Sequence, residues 1–125
     1  MKALKYGDIT EKILHGAFEV HTFLGNGFQE VIYQRALAYE FTISGLSFAR
    51  EIEQDIFYKA LQDPIGTRRA DFVVESKILV ELKAIKEIED VNKAQILNYL
   101  RAYKMEVGLL INFGSKSLTF QRYVL

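Results

Sequence analysis

The chain has 125 residues, half of them apolar, with 16 Lys+Arg balanced by 16 Asp+Glu and no cysteine. That size and apolar share suit a single domain spanning 1–125 with a packed core. The absence of cysteine excludes a disulfide framework and Cys-type zinc sites, and the zero net charge withholds the overall basic footprint of a nucleic-acid binder. His15 and His21 are too few for a His-rich metal site, the segment Met1 to Gly7 lacks an apolar leader, and no apolar run approaches a membrane span. A soluble, cytoplasmic chain with no membrane partner is expected.

Asp8, with Glu11 three residues on, makes a capping-box-like start to a first helix whose apolar positions are Ile9, Ile13, Ala17, Val20 and Leu24. Gly25-Asn26-Gly27 breaks it. A second helix is predicted from Phe28 to about Ile43, with Val31, Ile32, Leu37 and Phe41 facing inward and Gly45 ending it. Phe48 to Tyr58 alternates apolar and charged residues, as a half-exposed strand does. The segment from Gln62 to Thr67 holds Asp63-Pro64 and Gly66 and reads as a turn.

Two apolar runs follow, Arg69 to Val74 and Ile78 to Lys83, joined by Glu75-Ser76-Lys77. Asp90 is placed as the cap of a third helix running to about Lys104. Val107 to Phe113 has the continuous apolar run of a strand buried on both faces, and Leu118 to Val124 alternates like an edge strand. Helix, helix, three strands, helix, strand, strand suggests an antiparallel meander followed by a crossover into a mixed sheet.

The chemistry concentrates in the two central runs. Asp71 interrupts one, and Glu81 and Lys83 interrupt the other. Acids and lysines rarely enter apolar strands. Residues i and i+2 of a strand share a face, so Glu81 and Lys83 project together while Val80, Leu82 and Ala84 take the opposite side. If the Asp71 strand pairs alongside, two carboxylates and an ammonium converge. Mg²⁺ or Mn²⁺ takes such hard oxygen donors, with the Leu82 carbonyl as a third. For Glu81 and Lys83 alone a plain surface salt bridge is the better reading; the added acid on the preceding strand brings a site level with it. Gln95 and Tyr99, four apart, share a face of the third helix, as the edge of any amphipathic helix also does. Glu30 and Tyr33 lie near the start of the second helix, where an acid suits the helix dipole in any case. The histidines, Arg35, Lys59 and Arg122 are read as incidental.

Gly27-Phe28-Gln29-Glu30-Val31-Ile32-Tyr33 resembles the signature of the GxxExxY protein family, and Gly25-Asn26-Gly27 resembles its Gly-Pro-Gly turn with Asn26 in place of the proline. Val80 to Ala84, Ala94 to Leu100 and Gly108 to Gly114 resemble further family segments in the same order, so the likeness spans about Glu19 to Arg122. That family is similar to the PD-(D/E)xK nuclease superfamily. The resemblance implies an α/β, restriction-endonuclease-like mixed central sheet flanked by helices. It further implies Asp71 as the first acid, Glu81 and Lys83 as the ExK element, Glu30 as the helical glutamate ahead of the core, and Gln95 and Tyr99 as a Gln-x-x-x-Tyr element. Ala70 departs from the proline of the superfamily's name.

The expected function is metal-dependent hydrolysis of nucleic-acid phosphodiesters, with DNA as substrate and Mg²⁺ (or Mn²⁺) as cofactor. Asp71, Glu81, the Leu82 carbonyl and Glu30 are the candidate ligands. Lys83 positions water, Gln95 orients substrate or solvent, and Tyr33 and Tyr99 support them. A homodimer would let a small nuclease cut both strands, with Tyr6, Tyr103 and Tyr123 as exposed aromatics for contact. Two other readings stand beside this one. A catalytically inactive nuclease-fold binding or assembly module is favoured by the neutral charge. A phosphodiesterase of small nucleotides would need no basic surface.

Overall fold

The computed structural model describes residues 4–125, so the N-terminal three residues lie outside it. Two helices lead, α1 (Gly7–Leu24) and α2 (Glu30–Ile43). Strands β1 (Phe48–Ile56), β2 (Gly66–Val74) and β3 (Ile78–Lys83) follow, then α3 (Asp90–Ala102), β4 (Val107–Asn112) and β5 (Thr119–Val124). The five strands form one sheet in sequence order. β1, β2 and β3 pair antiparallel, β3 and β4 pair parallel across the α3 crossover, and β5 returns antiparallel as an edge. Both the meander and the mixed sheet match the expectation from the alternation pattern.

α1 and α2 cover one face of the sheet. Ile13, Ala17, Leu37 and Phe41 pack there against Phe72, Val74, Val80, Leu82 and Ile111. Phe41, Phe48 and Phe72 meet edge-to-face with centroids 5.0–5.7 Å apart. α3 covers the opposite face, placing Ile96 and Leu100 over Leu79 and Leu110. β4 is therefore buried at every residue, which is why its sequence does not alternate. Gly108 lets α3 approach: a Cβ there would sit 3.1 Å from Leu100.

Several element boundaries differ from the sequence reading. Asp8 does not cap α1: Tyr6 holds that position with φ 56° and no side-chain cap is made, so Asp8 lies within the first turn, where its charge suits the dipole. α2 begins at Glu30 rather than Phe28, because Gln29 is extended. Its buried stripe is Tyr33, Gln34, Leu37, Ala38 and Phe41; Val31 is exposed and Ile32 half-buried. Glu89, not Asp90, caps α3, and a reciprocal bond from Glu89 N–H to Asn92 Oδ1 (2.8 Å) completes a capping box. Tyr6, Tyr103 and Tyr123 are half-buried rather than free surface aromatics. The strongly exposed ones are Phe23, Tyr39, Phe57 and Tyr58.

The end of β3 is locked to the end of β4. Asn112 is wholly buried; its Oδ1 accepts from the backbone N–H of Ile85 and of Gly114 (both 3.0 Å), and its Nδ2 donates to the Ile85 carbonyl (2.9 Å). Phe113 N–H donates to the Lys83 carbonyl at 2.8 Å. Gly114 lies so close that a Cβ would fall 2.3 Å from Ile85 backbone atoms. Asn112→Ala would strand buried backbone groups and should cost about 1–3 kcal/mol in chemical denaturation. Gly114→Ala should destabilise at least as much, because backbone and not a flexible side chain must move; matching denaturation midpoints for wild type and both variants would contradict this clamp.

Candidate active site

The β2–β3 ladder pairs Val74 with Ile78, Val73 with Leu79 and Phe72 with Val80, and then stops. Continued in register, it would set Asp71 opposite Glu81. Side chains instead take over the pairing. Asp71 N–H donates to Glu81 Oε1 (3.0 Å), and Leu82 N–H donates to Asp71 Oδ2 (2.8 Å). Each acid thus bonds to the backbone of the other strand across the opening.

β2 also changes face here. Phe72 and Val74 belong to the α1/α2 core, whereas Ala70 belongs to the α3 core. Opposite Asp71 on β1 stands Glu51, with φ 50°. Such a left-handed residue within a strand is strained, and irregularities of this kind gather beside functional sites. The slip brings Asp71 within reach of α2, where Gln34 Nε2 donates to its Oδ1 at 2.9 Å. Gln34 is 5% exposed, and its Oε1 accepts from Arg50 at 3.1 Å. The Arg50–Gln34–Asp71 chain escaped the sequence reading. The available signal was spacing: Gln34 lies four residues after Glu30, on the same helical face.

A cleft of about 440 Å³ opens at this point. Glu30, Asp71, Glu81, Lys83, Gln95 and Tyr99 all line it, together with Arg68 and Arg69 from β2. Six of the eight residues expected at a site are therefore gathered around one space. The seventh, Leu82, presents its backbone N–H to Asp71 while its side chain is buried on the α1/α2 side. Tyr33 lies elsewhere. Its hydroxyl donates to the Gly25 carbonyl (2.6 Å) and accepts from Phe28 N–H (3.2 Å), and its ring stacks on Phe113 at 4.7 Å. It thereby fixes the turn from which α2, and with it Glu30, begins. Of the five basic residues from Arg68 to Lys86, Arg68, Arg69 and Lys83 reach the cleft, whereas Lys77 lies over the Tyr6 ring and Lys86 lines a separate depression.

The electrostatics follow from burial. Glu81 is 4% exposed, and burial pushes its carboxyl up to about 8, reinforced by the charge of Asp71. The Asp71 N–H and Lys83 pull the other way without offsetting it. Asp71 is also raised by burial, but bonds from Leu82 N–H and Gln34 and the charges of Lys83 and Arg69 hold it back. Glu30 is raised by burial and by Asp71. Tyr99 is raised by burial and then by the Glu81 charge. Two acids share one poorly solvated cleft with a single ammonium beside them, so without a cation Glu81 favours its protonated form.

The donor set tests whether a metal ion fits. Asp71, Glu81 and the Leu82 carbonyl are hard oxygens, the type Mg²⁺ and Mn²⁺ bind. Among the described residues no group of three or more His, Cys, Asp or Glu side chains closes on one point. Glu30 therefore shares the cleft without completing a three-acid cluster. A set of two acids plus one carbonyl suits Mg²⁺, which keeps several waters of its own.

Among the described residues no helix is long and apolar enough to cross a membrane. The crystal structure of SSO0001 is similar to this chain at 16% identity with a TM-score of 0.52, covering 93% of this chain and 77% of the other. At that identity the likeness concerns the fold alone. No curated protein matches the sequence. The family model of the PD-(D/E)XK nuclease superfamily matches residues 7–123, and the five-stranded mixed sheet with helices on both faces is the restriction-endonuclease-like architecture of that group. The chain belongs to the PD-(D/E)XK nuclease superfamily.

Proposed function

We propose that this protein is a Mg²⁺- or Mn²⁺-dependent phosphodiesterase that hydrolyses nucleic acid, with DNA as the expected substrate. The observation that carries this reading is the pair of buried acids at the open end of the β2–β3 ladder, with Lys83 beside them. A scaffold could satisfy the same two backbone N–H groups with neutral amide side chains, without the cost of burying two acids side by side.

Asp71, Glu81 and the Leu82 carbonyl would hold the ion, with Glu30 available to a second ion or through water. When bound, the metal supplies Lewis acidity and charge neutralisation at the phosphate. The chain's own groups supply the rest. Gln34 and the Leu82 N–H hold Asp71 in one orientation, leaving its remaining lone pairs facing the cleft. Lys83 orients the attacking water and offsets the charge gathering on the phosphoryl oxygens. Gln95, across the cleft on α3, hydrogen-bonds substrate or solvent, and Tyr99 packs beside it. Arg68 and Arg69 add positive charge to the cleft wall beside Lys83, local basicity in a chain of zero net charge.

Glu81→Ala and Lys83→Ala should each lower Mn²⁺-dependent cleavage by on the order of 10²-fold or more, with circular dichroism unchanged. If wild type cleaves no single-stranded, duplex or branched DNA and no RNA, the inactive binding module becomes the better reading.

Metal-free stability should depend on pH through Glu81. Its carboxyl is raised from 4.5 to about 8 in the folded chain, so between those values the folded state holds more protons than the unfolded one. The resulting stabilisation is complete below about pH 4.5 and is lost as pH rises through about 8. The Tm of metal-free protein should therefore fall across that window, and Glu81→Gln, which keeps the acceptor for Asp71 N–H, should flatten the fall. Millimolar Mn²⁺ should raise Tm by ~5 °C or more if it exceeds Kd a hundredfold, with a larger rise at pH 8 than at pH 6. An unchanged melting curve on adding either cation would count against a metal at these residues.

A further inference from the structure

β1 and β2 pair from Phe48↔Val74 to Ile56↔Gly66, interrupted at Glu51 and Asp71, but β3 accompanies β2 only from Phe72 to Val74. The stretch from Ile52↔Ala70 to Ile56↔Gly66 is therefore a two-stranded ribbon that runs on past the sheet, about 17 Å at the usual rise per residue. Side-chain bonds hold it from its root as far as Arg68. The Tyr103 hydroxyl donates to the Ile52 carbonyl and accepts from Ala70 N–H, and Arg68 donates to Asn98 Oδ1 at 3.0 Å.

The loop at the free end, 57–65, carries Phe57, Tyr58, Leu61 and Ile65, each more than half exposed and none part of either core. Four large apolar side chains in one short loop form a patch rather than scattered surface residues. Lys59 places its ammonium 5.2 Å from the Tyr58 ring centroid. The cleft wall runs along the ribbon, for Glu53, Thr67, Arg68 and Arg69 form part of it and Thr67 pairs with Asp55, one pair from the free end.

Charge decides what this arm is fitted to hold. Between Arg50 and Ala70 there are four basic and four acidic residues, so the ribbon has no net attraction for a phosphate backbone. Its affinity must come from contacts other than ion pairing. Flat, exposed aromatic rings offer stacking, and a nucleic acid can answer only where its bases are unpaired, since duplex bases present their faces to one another. We propose that the β1–β2 ribbon binds unpaired nucleobases by stacking on Phe57 and Tyr58, and so makes single-stranded nucleic acid the substrate class delivered to the cleft. This rests on the phosphodiesterase reading above for the chemistry at the cleft, but the ribbon's binding is measurable apart from it.

The test compares the full chain with Phe57→Ala, Tyr58→Ala and the double variant, using fluorescence anisotropy of a labelled 20-nucleotide oligothymidine and a 20-base-pair duplex in EDTA. Stacking lost at one ring weakens binding by about tenfold, so each single variant should bind the single strand about tenfold more weakly and the double variant more weakly still. Duplex binding should not change, and the slope of affinity against salt should match wild type. Phe57→Trp should retain binding, and its indole emission should be quenched on adding oligothymidine. Wild-type affinity in the double variant, unquenched emission on a bound strand, equal losses on strand and duplex, or no strand binding by wild type would each overturn the proposal. Mn²⁺-dependent hydrolysis of bis-p-nitrophenyl phosphate, a substrate too small to span both the cleft and the 57–65 loop, separates the two readings: retained hydrolysis with no strand binding removes the loop's role and leaves the cleft's.

Discussion

The whole site depends on one exchange of partners. At the point where β2 and β3 part, Asp71 and Glu81 each give up facing its own strand's ladder and bond to the other strand's backbone N–H. This satisfies two buried amide groups that the interrupted ladder leaves without carbonyls, and an unsatisfied buried N–H would cost on the order of 1–3 kcal/mol. It also sets two carboxyl groups side by side in a poorly solvated cleft. The same bonds that make the opening tolerable as structure therefore make it unstable as electrostatics, and the raised Glu81 carboxyl is the expression of that conflict. Stability and site geometry cannot be adjusted independently here.

The surrounding fold restrains this conflict rather than relieving it. On the α2 side, Gln34 is anchored by Arg50 and can offer its amide N–H to Asp71 in one orientation only. Beyond Lys83, Asn112 and Gly114 hold the backbone of Ala84 and Ile85 against the end of β4. Tyr33, stacked on Phe113, joins the start of α2 to the same corner. Three segments far apart in sequence thus bear on the ends of β2 and β3. The left-handed residue beside the opening is Glu51, next to Asp71, while Leu79, Val80 and Leu82 remain fully buried in regular strand.

Much of this was legible in the sequence because binary pattern and breaking residues act locally. The Gly25-Asn26-Gly27 break, the unbroken apolar run of β4 and the i, i+2 spacing of Glu81 and Lys83 each state their geometry directly. Other features were not legible, because they depend on tertiary partners. Asp8 reads as a cap and is not one, since Tyr6 enters the helix from a left-handed conformation. The sequence points Val31, Ile32, Leu37 and Phe41 inward on α2, yet Tyr33 and Gln34 are buried and Val31 is not, because one finds partners for its hydroxyl in a turn and the other finds a carboxylate on β2. A buried glutamine is paid for by hydrogen bonds that no local pattern reveals. The slip of β2 at Asp71 is equally hidden, because period-two alternation predicts one face for Ala70 and Phe72 and the structure gives them opposite ones.

Zero net charge bears on the mechanism as well as on partners. A strongly basic cleft would screen the two acids, draw their carboxyl groups down and lessen the gain from a cation. Here Lys83, Arg68 and Arg69 are the positive groups in the cleft, and they do not outweigh burial at Glu81. The site accordingly retains an unmet demand for positive charge, which is the condition for a divalent ion to bind where no third acid closes the shell. On the metal-dependent reading proposed above, low basicity and an incomplete acid cluster belong to one design: protein charges too few to satisfy the carboxylates, and oxygen donors too few to displace every water from an ion held there.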